Sequence, residues 1–205
     1  AVVLALGTII AAREWHRCVG AGASQNLEVL ITFAAVALAE AVLLSTGEFG
    51  FAALAVAVGA GLAFALARQE KHPLWQAAGV LYLGLPALSL LMLQAFAQRG
   101  VLIVIGLLLI VWATDTGALI CGKLIGGPRI APRLSPGKTW AGTIGGSVIA
   151  ALVYAGYIAF LGGAAPNAAL FAFVFSFAAH GGDLFESFVK RRFGIKDSGS
   201  AIPGH

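Results

Sequence analysis

The sequence predicts an all-α, polytopic integral membrane protein with about seven transmembrane helices, organised as a single transmembrane domain over residues 1–205. Three observations predict it. The chain is 60% hydrophobic and only 11% charged, where a soluble domain carries about 25% charged residues. Its mean hydropathy of +0.93 leaves too little polar surface to cover the chain in water. The apolar residues also come in unbroken runs rather than alternating, and most runs approach the ~20 residues that carry a helix across ~30 Å of hydrocarbon. Finally, the cations fall almost entirely in alternate connections between those runs.

The apolar runs are 1–12, 27–46, 49–67, 74–94, 101–121, 140–161 and 168–182. Lipid cannot satisfy free backbone groups, so continuous runs of this kind are helices. The first is expected to be cut short. With no basic leader and no cleavage site ahead of Arg13, it is not expected to be a signal peptide. The chain as a whole is expected to be a piece of a longer protein. Gly47 predicts a tight hairpin between the second and third helices, and Pro86 predicts a kink in the fourth. The last run is short for a span and is expected to tilt or to continue into the polar stretch that follows. Gly142 and Gly146, and likewise Gly59 and Ala63, stand four apart, the spacing that lets membrane helices pack closely. Cys18 and Cys121 are far apart and read as small apolar residues within helices.

Numbering the connections alternately places Arg13, Arg17, Arg68, Lys71, Lys123, Arg129, Arg133, Lys138, Lys190, Arg191, Arg192 and Lys196 on one side, and Arg99 alone on the other. Twelve cations against one is a positive-inside pattern, so the polar stretches 122–139 and 183–205 are both expected to face the cytoplasm. Helices 1–100 carry little chemistry, whereas 101–205 reads as the catalytic part.

Ionisable groups at membrane depth are costly and mark function by default. Glu28 sits at a helix end and is expected to be interfacial. Glu40 lies deeper, and a structural role is favoured for it. Asp115, in WATDTGALICGK, lies roughly 10 Å from the cytoplasmic end of its helix and needs a cation or donors around it. His180 and Asp183 stand near the same level on the last helix.

Two stretches carry phosphate chemistry. In RLSPGKTWAGTIGG the GKT is not a Walker loop, because Pro132 stands where that pattern requires glycine. Ser135, Lys138 and Thr139 nonetheless supply donors, Gly137 admits close backbone approach, and a helix opening at Trp140 favours anions at its N-terminus. In GGDLFESFVKRR, a helix would gather Asp183, Glu186, Ser187, Lys190 and Arg191 on one face. Carboxylates beside cations suit a Mg²⁺–triphosphate complex.

The stretch SFVKRRFGIKDSGSAIPGH resembles the opening of the phosphatidate cytidylyltransferase (CDP-diacylglycerol synthase) signature at Ser187, Lys190, Arg191, Lys196, Asp197, Gly199, Pro203 and His205. The RLSPGKTWAGTIGG, WATDTGA and GGDLFES stretches are similar to that family too, so the resemblance covers about residues 113–205. It implies transfer of a cytidylyl group from CTP to phosphatidate, with Mg²⁺ as cofactor, with or without a second cation. It implies that Asp183, Asp115 and Asp197 hold or orient metal, and that Asp183, Lys190, Lys138 and Asp197 act in catalysis. Substrate binding would fall to Ser135, Pro136, Gly137, Thr139, Ser187, Arg191, Lys196, His205 and Lys123. It further implies a homodimer in the lipid bilayer, the inner membrane of a bacterium, with the site facing the cytoplasm and no nucleic-acid partner. The family's further carboxylates would lie beyond His205. Two alternatives stand beside this: another CTP-using lipid enzyme such as a polyprenol kinase, and a secondary transporter using Glu40 and Asp115.

Overall fold

Among the described residues, seven α-helices form where the apolar runs stand. A computed structural model describes residues 2–20 and 25–195, with α1 at Val2–Cys18, α2 at Gln25–Thr46, α3 at Phe49–Leu66, α4 at Pro73–Phe96, α5 at Gly100–Leu124, α6 at Trp140–Phe160 and α7 at Ala165–Arg192. Helices α2 to α7 are long and apolar enough to cross a membrane. With 17 residues, α1 is shorter. The protein is an all-helical, polytopic integral membrane protein, close to the expected count. The last run does continue into the polar stretch, making α7 28 residues long, and α4 continues through Pro86.

One departure from an all-α chain separates α5 from α6. Strand β1 (Arg129–Ala131) pairs antiparallel with β2 (Ser135–Thr139), Arg129 opposite Thr139 and Ala131 opposite Ser135. The sequence reading treats this stretch as a loop. Strands this short, one of them holding Pro136 and Gly137, carry no periodic signal, and only the pairing makes them strands.

The chain divides into two compact units, residues 1–100 with 192–205, and 101–191. In the first, Gly47 adopts φ +74° and turns α2 directly into α3, the expected hairpin. Its core is built from small and branched side chains, among them Ala39, Leu43, Val56, Ala63 and Leu88. Gly84 lies where a Cβ would come within 2.7 Å of Val56.

Glu28 corrects an expectation. It is not interfacial but fully buried. His16, also fully buried, places Nδ1 3.4 Å from Glu28 Oε2. The imidazole also meets Gln76 Oε1 at 2.5 Å and Thr32 Oγ1 at 2.9 Å, while Thr32 donates to the Glu28 carbonyl at 2.9 Å. Three helices thus supply one another's buried polar partners, which is the condition for keeping such groups out of water. Glu40 is buried in α2, as its depth in the sequence suggested.

In the second unit, α5 and α6 meet through their glycines. A Cβ on Gly146 would come within 2.6 Å of the Thr114 carbonyl, and one on Gly142 within 2.8 Å of the Ala118 carbonyl. Ile110, Ala150 and Ala172 form the buried centre where α5, α6 and α7 converge.

Candidate active site

Thr139 joins the ribbon to α6. As the N-cap it has extended backbone (φ −113°, ψ 155°), and its hydroxyl accepts the Gly142 N–H at 3.1 Å. The Trp140 N–H donates to the Pro128 carbonyl at 3.0 Å, which fastens the start of β1 to the start of α6. Lys138, the last residue before the cap, is thereby held at the N-terminal end of a 21-residue helix. That end carries partial positive charge.

Two further helices bring carboxylates to the same place. A cavity of about 230 Å³ is lined by Asp115, Ala118 and Leu119 of α5, by Gly137, Lys138 and Thr139 of β2, by Gly142 and Thr143 of α6, and by His180 and Asp183 of α7. Across it the Lys138 Nζ donates to Asp183 Oδ2 at 2.7 Å. Asp183 is half exposed and Lys138 largely shielded. His180 is buried, and its Nε2 has no hydrogen-bond partner among the described residues. Thr114, next to Asp115, is fully buried and its hydroxyl is likewise unpartnered among them.

Of the residues singled out from sequence, Asp115, Gly137, Lys138, Thr139, His180 and Asp183 therefore share one cavity. Ser135, Pro136 and Lys123 belong to neighbouring turns of the same elements but do not line it. Ser187, Lys190 and Arg191 lie further along α7, and Lys190 is tied to Glu186 by an i,i+4 pair of 2.6 Å. Lys196, Asp197 and His205 lie outside the described residues. Thr143 and Gly142 were missed. Both were within reach of helical periodicity, Thr143 standing one turn after Thr139 and facing the same way.

The cavity has the chemistry of an anion site with an acidic rim: one ammonium, one helix N-terminus and two carboxylates. Asp115 and Asp183 are hard oxygen donors. Among the described residues no group of three or more His, Cys, Asp or Glu side chains could hold a metal. Two carboxylates nonetheless fit Mg²⁺, which uses one or two and completes its shell with substrate phosphates and water.

The sequence matches the model of the cytidylyltransferase family over residues 1–205. It is 43% identical over 150 residues to the phosphatidate cytidylyltransferase of Brucella suis biovar 1 (strain 1330), covering 71% of this chain and 55% of that protein. It is 36% identical over 140 residues to that of Rickettsia prowazekii (strain Madrid E), covering 62% and 59%. To that of Rickettsia bellii (strain RML369-C) it is 42% identical over 109 residues, covering 47% and 45%. The chain spans about half the length of the curated relatives it matches. With a match along its whole length, and with the lysine, helix N-terminus and carboxylates gathered at one cavity, this chain belongs to the cytidylyltransferase family.

Proposed function

We propose that this chain contributes the site at which CTP and phosphatidate form CDP-diacylglycerol and pyrophosphate. The observation that carries the proposal is the cavity that brings Lys138, Asp183 and Asp115 together at the N-terminus of α6. The family and the names of the relatives support the choice of substrates. Neither a polyprenol kinase nor a transporter performs cytidylyl transfer.

In this reaction an oxygen of the lipid phosphate attacks the α-phosphorus of CTP. The new P–O bond forms as the bond from that phosphorus to the β-bridging oxygen breaks, and pyrophosphate leaves with the electron pair. No side-chain nucleophile is required, so the residues act by positioning and by charge. Lys138 would neutralise phosphate charge, exchanging part of its contact with Asp183 for the nucleotide. Thr139 keeps its hydroxyl hydrogen free while its oxygen serves as cap, and can donate it to a phosphate oxygen. The partial positive charge at the start of α6 would add to the attraction. Asp115 and Asp183 would hold Mg²⁺, which supplies charge neutralisation at the phosphates when bound. The positive-inside pattern puts this end of the helices at the cytoplasm, where CTP is found, and the relatives' bacterial sources favour a bacterial inner membrane. The resemblance to the family extends the reading to a homodimer.

The test supplies the purified intact protein with labelled CTP, phosphatidate and Mg²⁺. Labelled CDP-lipid is expected, lost on chelation of the metal, and reduced at least a hundredfold in Asp183→Asn. Absence of CDP-lipid from the intact protein would sink the proposal. Full activity in Asp183→Asn would sink only the metal assignment.

A further inference from the structure

Helices α6 and α7 run antiparallel, and their contacts keep one register along the seam. Contacts that descend α6 from Tyr154 to Ser147 meet partners that climb α7 from Phe171 to Ser176. Tyr154 packs on Phe171 with ring centroids 5.9 Å apart. Ala150 and Ala172 share the buried core. Ser147 and Ser176 lie 2.6 Å apart, oxygen to oxygen. One turn nearer the cavity, Thr143 and His180 both line its wall, and at the end of the seam Lys138 meets Asp183 at 2.7 Å.

The apolar part of this seam is Ala150 and Tyr154 against Phe171 and Ala172. In lipid such surfaces discriminate weakly between one register and the next, because the tails compete on equal terms with apolar side chains. A buried polar pair discriminates strongly, since a slip leaves its members opposite carbon. Both serines are fully buried. Ser176 donates its one hydroxyl hydrogen to Ser147, and Ser147 donates in turn to the Thr143 carbonyl at 2.8 Å, so the pair is tied into the backbone of α6. A slip of one turn would shift α7 by about 5.4 Å. It would bring Ala179 or Ser187 to the place of Asp183, and neither carries a charge.

We propose that Ser147 and Ser176 are positioning residues: their interhelical hydrogen bond sets the register of α7 on α6 and so delivers Asp183 to Lys138. The inference rests on the reaction proposed above for its catalytic consequence, but not for its geometry.

The experiment uses the intact protein with Ser147→Ala and Ser176→Ala combined, which removes both partners and strands neither. Mg²⁺-dependent CDP-lipid formation is expected to fall ten- to a hundredfold, as a misplacement of roughly 1 Å can cost. The Ser147→Thr, Ser176→Thr pair, which keeps both hydroxyls, is expected to retain most of the rate. Register is read independently of activity. With Cys18 and Cys121 replaced by alanine, cysteines introduced at Ala150 and Ala172 are joined by a short thiol cross-linker. Loss of the two serines is expected to spread cross-linking from Ala172→Cys to Ala168→Cys, one turn away. A double alanine variant with the original rate and cross-link pattern overturns the proposal, and so does a lost rate with an unchanged pattern. If the unsubstituted protein makes no CDP-lipid, the proposed reaction falls, and the cross-link pattern alone decides the register.

Discussion

Lys138 and Asp183 stand 45 residues apart in sequence and 2.7 Å apart in space. A half-exposed ion pair of this kind contributes about 0–1 kcal/mol to stability, so folding alone gives little reason to hold an ammonium and a carboxylate together there. Lys138→Met is therefore expected to leave the unfolding temperature in detergent within a few degrees of the original, while CDP-lipid formation falls a hundredfold or more. A parallel fall in stability and activity would show that the lysine is structural. Sequence reasoning picked out both residues, one by the SPGKT donors and the other by carboxylates at helical spacing. It had no means of measuring their separation. Lys190 shows the converse: it shares the helical face of Asp183, yet it pairs with Glu186 and does not line the cavity.

Between elements, the contact of α5 with α6 sets the depth of the cavity, because Asp115 rides on one helix and Thr139 caps the other. The contact is close only because Gly117, Gly142 and Gly146 lack side chains. A Cβ at Gly117 would come within 3.0 Å of the Gly146 Cα. Gly146→Ala would press on the Thr114 carbonyl and the Ala118 amide, where backbone cannot yield cheaply, and is expected to cost about 1–3 kcal/mol. Gly156→Ala, on the same helix with nothing within 4 Å, is expected to be neutral or slightly stabilising. Thermal unfolding of the two variants side by side checks the contrast, and equal effects would refute it. The four-residue spacing of Gly142 and Gly146 announced close packing, but not that the partner would be α5. The β1–β2 ribbon was not announced at all, since its three- and five-residue strands exist only through each other.

Over the whole molecule, the unit formed by α1 to α4 keeps its buried polar groups among its own helices. Gln76, one part in a hundred exposed, faces His16, which in turn touches Thr32 and lies beside Glu28. Gln76→Leu would leave the imidazole Nδ1 with only the Glu28 carboxylate, 3.4 Å away, and is expected to cost about 1–3 kcal/mol of stability. CDP-lipid formation per folded molecule should stay as it was, because Gln76 lies outside the cavity. Unfolding curves together with activity normalised to folded protein would separate the two effects. Unchanged stability would mean that the buried contact is energetically idle.

The sequence by itself determined the seven helices, the membrane as their solvent, and the expectation that the polar ends share one side. These follow from local quantities: unbroken apolar runs, their length, and the distribution of cations along the chain. Only the tertiary structure decided that Glu28 is buried, that residues 129–139 pair as strands, and that Asp115, Lys138 and Asp183 share a cavity while Ser187 and Lys190 stand apart from it. Each of these turns on which helix lies against which and in what register. In this chain glycines and a few buried hydroxyls carry that information, and they acquire their meaning only when the partner is in place.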